Sequence, residues 1–426
     1  MQPIVVAIEM GYGHLRAAAP LAAALGTEIF ECDRAPLADA DERTRWAEAR
    51  RLYEATSRLS QMPVVGGPLR RALELLTAIP HLHPYRDLST PTMGARVLRG
   101  FIERGLGRGL ATRMKEEGRP LLSTFFAPAI AAEHHGARDI FCVVTDADIN
   151  RAWAPVASAS TSVRYLVPSI RAQRRLVRYG VPSSRIRYTG FPLPHELVGG
   201  ESLPILRANL ARRIARLDPM GSFRAVLGEE LGRHLGPIPQ ADGPPRLAFA
   251  VGGAGAQAEM VARFLPRMAT PLRDGRLRLT LVAGVRAEVA ARFAAAIDRA
   301  GLVAELADGT VEILSEPTVP AYLARFHARL ADIDVLWSKP SELTFFAALG
   351  LPLVFSRPIG EHESYNRRWA VEAGAGLRQR DTAFAAEWLE DWLLDGTLAG
   401  AAWNGFLRLP SRGLYHILDE VGGASR

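Results

Sequence analysis

Two glycine-rich turns, one in each half of the chain, sit where a short apolar run gives way to an alanine-rich stretch. The first is Ile4-Val5-Val6-Ala7-Ile8-Glu9-Met10-Gly11-Tyr12-Gly13-His14. The second is Leu247-Ala248-Phe249-Ala250-Val251-Gly252-Gly253-Ala254-Gly255-Ala256. Such apolar runs read as parallel strands buried on both faces. The alanine-rich stretches that follow favour helix. A glycine turn between them leaves backbone N–H groups at a helix N-terminus, which suits an anion or a closely approaching ligand. Two such turns, about 240 residues apart, predict an α/β protein with two similar domains facing one cleft.

The rest of the chain supports that class. At 426 residues it exceeds one ordinary core, and 48% hydrophobic residues exclude global disorder. Strands are expected at 4–8, 28–32, 120–124, 140–145, 163–167 and 185–189. Helices are expected at 15–25, 40–62, 68–79, 94–117 (interrupted at Gly105 and Gly107), 127–134 and 169–179. Residues 195–245 hold an Arg-rich helical piece and then Gly/Pro-dense segments, read as an insertion and linker. Strands resume at 247 and continue at 278–283, 311–314, 334–337 and 353–355. The expected division is a first Rossmann-like domain over 1–194, the linker 195–245, a second such domain over 246–395, and a helical tail over 396–426 that crosses back to the first domain.

Two cysteines, Cys32 and Cys142, imply no disulfide framework. With no secretory leader and no run of 18 apolar residues, the expectation is a cytoplasmic protein, with room for a peripheral association at the inner membrane face. Lys and Arg number 52 against 45 Asp and Glu, and nearly all the cations are Arg. That surplus fits an anionic lipid or phosphorylated partner, or a coding bias toward Arg and Ala. No zinc-ligand spacing, basic zipper or RNA-binding aromatic signature is present, so nucleic acid is not an expected partner.

Three stretches carry chemistry. In the first turn, His14 opens a helix after Gly11 and Gly13; it either caps and packs or faces a ligand above the strand end, and the strand-to-helix setting favours the ligand. The turn lacks the third glycine of a dinucleotide fingerprint. In the second turn, Gly252, Gly253 and Gly255 suit a diphosphate cradle, without the Lys-Ser/Thr of a Walker loop. The third stretch runs from Asp334-Val335-Leu336-Trp337-Ser338-Lys339-Pro340-Ser341-Glu342 to Glu361-His362-Glu363-Ser364-Tyr365-Asn366. It places polar loops after two strands, where open α/β sheets bind ligands. Arg171, Arg174, Arg175 and Arg178 read as a solvated helix face.

In order and spacing these pieces resemble the GT-B glycosyltransferases of the group containing the peptidoglycan N-acetylglucosaminyltransferase, monogalactosyldiacylglycerol synthase and the processive diacylglycerol glucosyltransferases. The matching pieces include Gly11-Tyr12-Gly13-His14, Val143-Val144-Thr145-Asp146, Thr189-Gly190-Phe191-Pro192, the second glycine turn, Lys339-Pro340 and Gly350-Leu351-Pro352. The resemblance covers nearly the whole chain, with gaps at 35–115 and 195–245. It implies a metal-independent, inverting transfer of a hexose or N-acetylhexosamine from a nucleotide-diphosphate sugar, a UDP-sugar, to a hydroxyl acceptor such as a lipid. No cofactor is implied beyond the donor. Gly252, Gly253 and Gly255 would hold the diphosphate, helped by Arg286 and Lys339. Glu342 would meet the ribose, and His362, Glu363 and Asn366 would lie toward the donor sugar. His14 or Asp146 would deprotonate the acceptor, with Gly11 and Gly13 shaping the acceptor-side loop. The family's usual Gln is replaced by His362, and Asn150 and Arg151 stand where it has a His. Two alternatives therefore remain open: a sugar-nucleotide 2-epimerase on the same fold, and a non-catalytic sugar-nucleotide-binding protein.

Overall fold

The structure is a computed structural model that describes residues 2–8, 12–59, 79–252, 255 and 257–423, with the side chains of 52–59 left aside. The expected helix at 68–79 lies outside the described residues except at its last position; the one expected over 40–62 is described as Ala40–Leu59. The chain divides into two compact units. The first comprises 1–192, 359–366 and 412–426; the second comprises 193–358 and 367–411.

The first unit is built on a parallel sheet of six strands: β1 (Ile4–Ala7), β2 (Ile29–Glu31), β3 (Leu121–Ser123), β4 (Ile140–Val143), β5 (Arg164–Val167) and β6 (Ile186–Tyr188). Their order is β2-β1-β3-β4-β5-β6. Side chains alternate across the sheet, so each strand feeds two cores. Ile4, Val6, Leu121, Ile140, Cys142 and Tyr165 pack on one face with the helices Arg108–Glu117 and Phe126–His134. Val5, Ala7, Leu122, Phe141, Val143 and Leu166 face the other way, against the helix Gly13–Leu25. That second face is completed by the C-terminal helix Gly413–Gly423, through Leu414, Ile417 and Val421. Burying each of these three stabilises the unit by about 1.5–3 kcal/mol.

The second unit repeats the plan with β7 (Arg246–Ala250), β8 (Arg278–Gly284), β9 (Val311–Ser315), β10 (Val335–Ser338), β11 (Leu353–Phe355) and β12 (Gly376–Arg378). The order is β9-β8-β7-β10-β11-β12, all parallel. Its core centres on Trp337, whose ring lies 4.8 Å from Phe264, 5.4 Å from Phe249 and 5.3 Å from Trp388. The indole N–H has a partner too, donating to Gln379 Oε1 at 2.8 Å. Residues 195–245 carry the helices Pro204–Leu217 and Ser222–Leu235, whose Leu210, Ile214, Leu217 and Leu231 belong to this core. Arg213 is buried there and donates to the carbonyls of Ile333, Leu349 and Gly350. Burial pulls its guanidinium pKa down to about 10.

Two local expectations are corrected. The strand β12 is absent from the sequence reading, because Gly376-Leu377-Arg378 has neither the length nor the apolar run of a strand. Arg175 does not lie on a solvated face. It is fully buried, with Nε 2.8 Å from Asp148 Oδ1 and Nη2 2.8 Å from Asp148 Oδ2.

Candidate active site

In a doubly wound sheet the loops on either side of the point where strand order reverses splay apart, and ligands bind in the crevice they leave. In the first unit this point lies between β1 and β3, and in the second between β7 and β10. Both glycine turns follow the first strand of their sheet, so both flank such a crevice.

In the second unit, the loops after β7, β8 and β10 bring four expected donor-binding residues together. The Gly255 N–H donates to the Gly252 carbonyl at 2.7 Å, closing a tight turn. Gly255 has φ +69°, which favours glycine, and a Cβ there would approach Arg286 Cδ to 3.4 Å. A Cβ on Gly252 would lie 2.2 Å from Lys339 Cε and 3.1 Å from its Nζ. The lysine side chain is therefore laid directly across the backbone of Gly252, and only glycine leaves it that path. Lys339 opens the loop after β10, where its carbonyl accepts the Ser341 N–H at 2.8 Å. Glu342 follows at the first position of the 3-10 helix Glu342–Leu349. Arg286 precedes the helix Ala287–Arg299 and makes a solvent-exposed contact with Glu288 at 3.3 Å. Two cationic side chains, a tight glycine turn and the helix that follows form a site suited to a diphosphate. Gly253 lies outside the described residues.

Gln257 is an addition that the sequence reading missed. It has φ +71°, donates from Nε2 to the Arg357 carbonyl at 2.8 Å, and accepts the Ser356 hydroxyl at Oε1. It thereby ties the glycine turn to the loop after β11. A glutamine immediately after a glycine-alanine run was its only signal.

In the first unit, His14 stands beside the end of β3. Its Nδ1 lies 2.8 Å from the Thr124 carbonyl and 3.2 Å from Thr145 Oγ1, and the Thr124 hydroxyl donates back to the His14 carbonyl at 3.0 Å. A carbonyl only accepts, so Nδ1 is the nitrogen that donates in this contact. The ring edge packs on Phe125 at 4.7 Å between centroids. Gly13 begins the helix that carries His14; Gly11 lies outside the described residues. Asp146 follows Thr145 directly in the loop after β4, one residue from a side chain that touches His14. Thr124 and Thr145 were not singled out from the sequence, although Thr145 sits inside the matched Val-Val-Thr-Asp stretch.

Asn366, His362 and Glu363 are placed differently from the other donor candidates. All three belong to the first unit, on the opening turns of the helix Glu361–Glu372. Asn366 is fully buried; it accepts the Ala147 N–H at 2.8 Å and donates to Asp146 Oδ1 at 3.1 Å. Glu363 is buried and accepts the Ile359 N–H at 2.7 Å, satisfying a backbone donor before its own helix. His362 is exposed, its ring folded over Gly360.

Among the described residues no group of three or more His, Cys, Asp or Glu is arranged to hold a metal ion, and no helix is long and apolar enough to cross a membrane.

No protein-family model and no curated protein sequence matches the chain. Solved structures do. The chain is similar to MurG of Acinetobacter baumannii, at 14% identity over 99% of this chain and 100% of that one, with a TM-score of 0.51. It is similar to a putative UDP-N-acetylglucosamine 2-epimerase of Listeria monocytogenes, at 12% identity over 100% and 97% of the two chains, with a TM-score of 0.52. It is also similar to S. aureus MnaA, solved with UDP, at 14% identity over 100% and 97%, with a TM-score of 0.50. At such identities the likeness speaks for architecture, and with the two parallel six-stranded sheets it establishes that this chain has a GT-B glycosyltransferase-like fold.

Proposed function

We propose that the protein is a glycosyltransferase that moves a sugar from a UDP-sugar to a hydroxyl acceptor. The observation that carries this reading is the pairing of chemistries at the two strand-order reversals. One holds cations and a glycine turn suited to a diphosphate. The other holds a histidine whose Nδ1 donates to a carbonyl, which gives Nε2 the role of base in the proposed reaction.

In the proposed reaction the second unit binds the donor. Gly252 and Gly255 let the diphosphate approach the backbone, and Lys339 and Arg286 neutralise it. As the acceptor oxygen attacks the anomeric carbon, His14 Nε2 takes the hydroxyl proton. The bond from that carbon to the phosphate oxygen breaks, and the charge that builds on the leaving UDP is stabilised by the two cations and the backbone N–H groups. Inversion follows from a single displacement, and no step requires a metal. A lipid hydroxyl is the acceptor class that the sequence resemblance favours; it would bring the protein to a membrane surface as a peripheral protein.

A 2-epimerase is the second reading, favoured by the Listeria neighbour, which is named a putative UDP-N-acetylglucosamine 2-epimerase. Calorimetry with UDP, GDP and TDP, followed by NMR of UDP-N-acetylglucosamine and UDP-glucose incubated with the enzyme, separates the two. Transfer predicts UDP binding, with slow release of UDP and free sugar to water. A 2-epimer formed without UDP loss assigns the epimerase, and no nucleotide binding rejects both.

A further inference from the structure

The loop 146–149 is held by a set of side-chain hydrogen bonds. The Ala147 carbonyl accepts the Ser169 hydroxyl, and Ser169 in turn accepts the Ala172 N–H at 3.0 Å. The Asp148 carboxylate is held by buried Arg175 and by the Ile149 N–H at 2.9 Å. Asn366 adds two more, binding the Ala147 N–H with one end of its amide and the Asp146 carboxylate with the other. The amide has one consistent orientation. A backbone N–H only donates and must face Oδ1, while a carboxylate only accepts and must face Nδ2.

Asn366 is itself held firmly. Two other residues of its helix grip the segment that enters at Ile79: Glu361 Oε2 accepts the Ile79 N–H at 2.7 Å, and the Tyr365 hydroxyl donates to the Ile79 carbonyl at 3.4 Å. The next residue, Pro80, offers its carbonyl to Arg175, whose guanidinium lies 5.9 Å from the Tyr365 ring. Arg175 thus joins Asp148 to the same segment, and the helix start, the 146–149 loop and residues 79–80 form one hydrogen-bonded body.

We infer that Asn366 is a positioning residue that fixes the Asp146 carboxylate on the acceptor side, rather than a ligand of the donor. The inference rests on the proposed transferase reading, and adds to it that Asp146, beside Thr145 in the loop that touches His14, meets the acceptor. With Oδ1 engaged by Asn366, the second carboxylate oxygen would be the one to meet an acceptor hydroxyl. The same helix passes from the first unit to the second after Asn366, which explains why a residue inside the donor-like sequence stretch serves the acceptor side.

The test uses UDP release from UDP-N-acetylglucosamine, with water as acceptor, and UDP affinity by calorimetry, in Asn366→Ala, Asn366→Asp and Asp146→Asn. Asn366→Asp keeps the acceptor for Ala147 but sets a carboxylate against Asp146, so it isolates the Asp146 contact even if the alanine variant folds poorly. Expected is a loss of about tenfold or more in kcat for Asn366→Asp, with UDP Kd and donor KM within about twofold of the parent. Combining Asn366→Asp with Asp146→Asn restores the hydrogen bond with its ends exchanged, and so restores thermal stability without restoring kcat. A tenfold weaker UDP Kd with unchanged kcat overturns the inference and makes Asn366 a donor ligand. Asp146→Asn inactive beside a fully active Asn366→Asp overturns the inference alone. Full activity in Asp146→Asn overturns the acceptor role of Asp146 with it.

Discussion

Replacing Gly252 with alanine puts a methyl group where Lys339 now lies. The backbone at Gly252 is not left-handed, so alanine fits the main chain; the conflict is with the lysine, whose Cε would stand 2.2 Å from the new carbon. Ordinary carbon contacts need about 3.5–4 Å, so the side chain must retreat by more than about 1 Å. A flexible lysine can do so without unfolding the loop, and the cost falls on the ammonium group's position. With an effective dielectric of about 20, moving a unit charge from about 3 to 4.2 Å from a phosphate oxygen forfeits about 1.5 kcal/mol, and solvent screening about halves that. The expected weakening of UDP binding is about three- to tenfold. Isothermal titration calorimetry on Gly252→Ala, Lys339→Ala and the double variant measures it. Lys339→Ala should lose more, about tenfold or above, because a charge-assisted contact is removed outright. If glycine matters here through the lysine, the double variant binds UDP no more weakly than Lys339→Ala. Unaltered binding by Gly252→Ala, or the same loss repeated in the Lys339→Ala background, refutes that reasoning.

His14→Ala should lower kcat by about 10²–10⁴-fold while leaving UDP affinity within about twofold, and Thr145→Val should cost less, since the Thr124 carbonyl still fixes the ring. Arg175→Met strands Asp148 in the core and should cost about 3–5 kcal/mol in urea unfolding; pairing it with Asp148→Leu should recover most of that loss. Burial pushes the carboxyl of Glu42 above its ordinary 4.5, against the downward pull of its bonds from Gly109 and Gly107. Its contribution to stability is then full below about pH 4.5 and lost as pH rises through the folded value. Urea unfolding from pH 4.5 to 7.5 should show the parent losing stability relative to Glu42→Gln as pH rises; a constant difference would contradict that sign.

Much of the fold is legible in the sequence because its central strands are buried on both faces and read as continuous apolar runs. The edge strands β2 (Ile-Phe-Glu) and β6 (Ile-Arg-Tyr) are only partly buried and are placed by the strand–helix alternation instead, and β12 escapes both signals because three edge residues carry no pattern. The donor loops are legible for a related reason: glycines that admit a lysine, and a lysine after a strand, are chemically conspicuous. What is not legible is pairing across long separations. Arg175 looks like any helix-surface arginine until Asp148, 27 residues away, is folded onto it. Asn366 stands among donor-like residues in the sequence, yet its partners are Ala147 and Asp146, about 220 positions upstream. Local spacing registers the chemistry of such groups but not their partners.

A crystal structure with UDP bound tests the central claim most directly. If the second unit holds the donor as proposed, the diphosphate oxygens will lie within about 3 Å of Lys339 Nζ and of backbone N–H groups in the turn that begins at Gly252, with Arg286 beside them. UDP bound away from this turn, or bound with Lys339 and Arg286 turned from its phosphates, would contradict it.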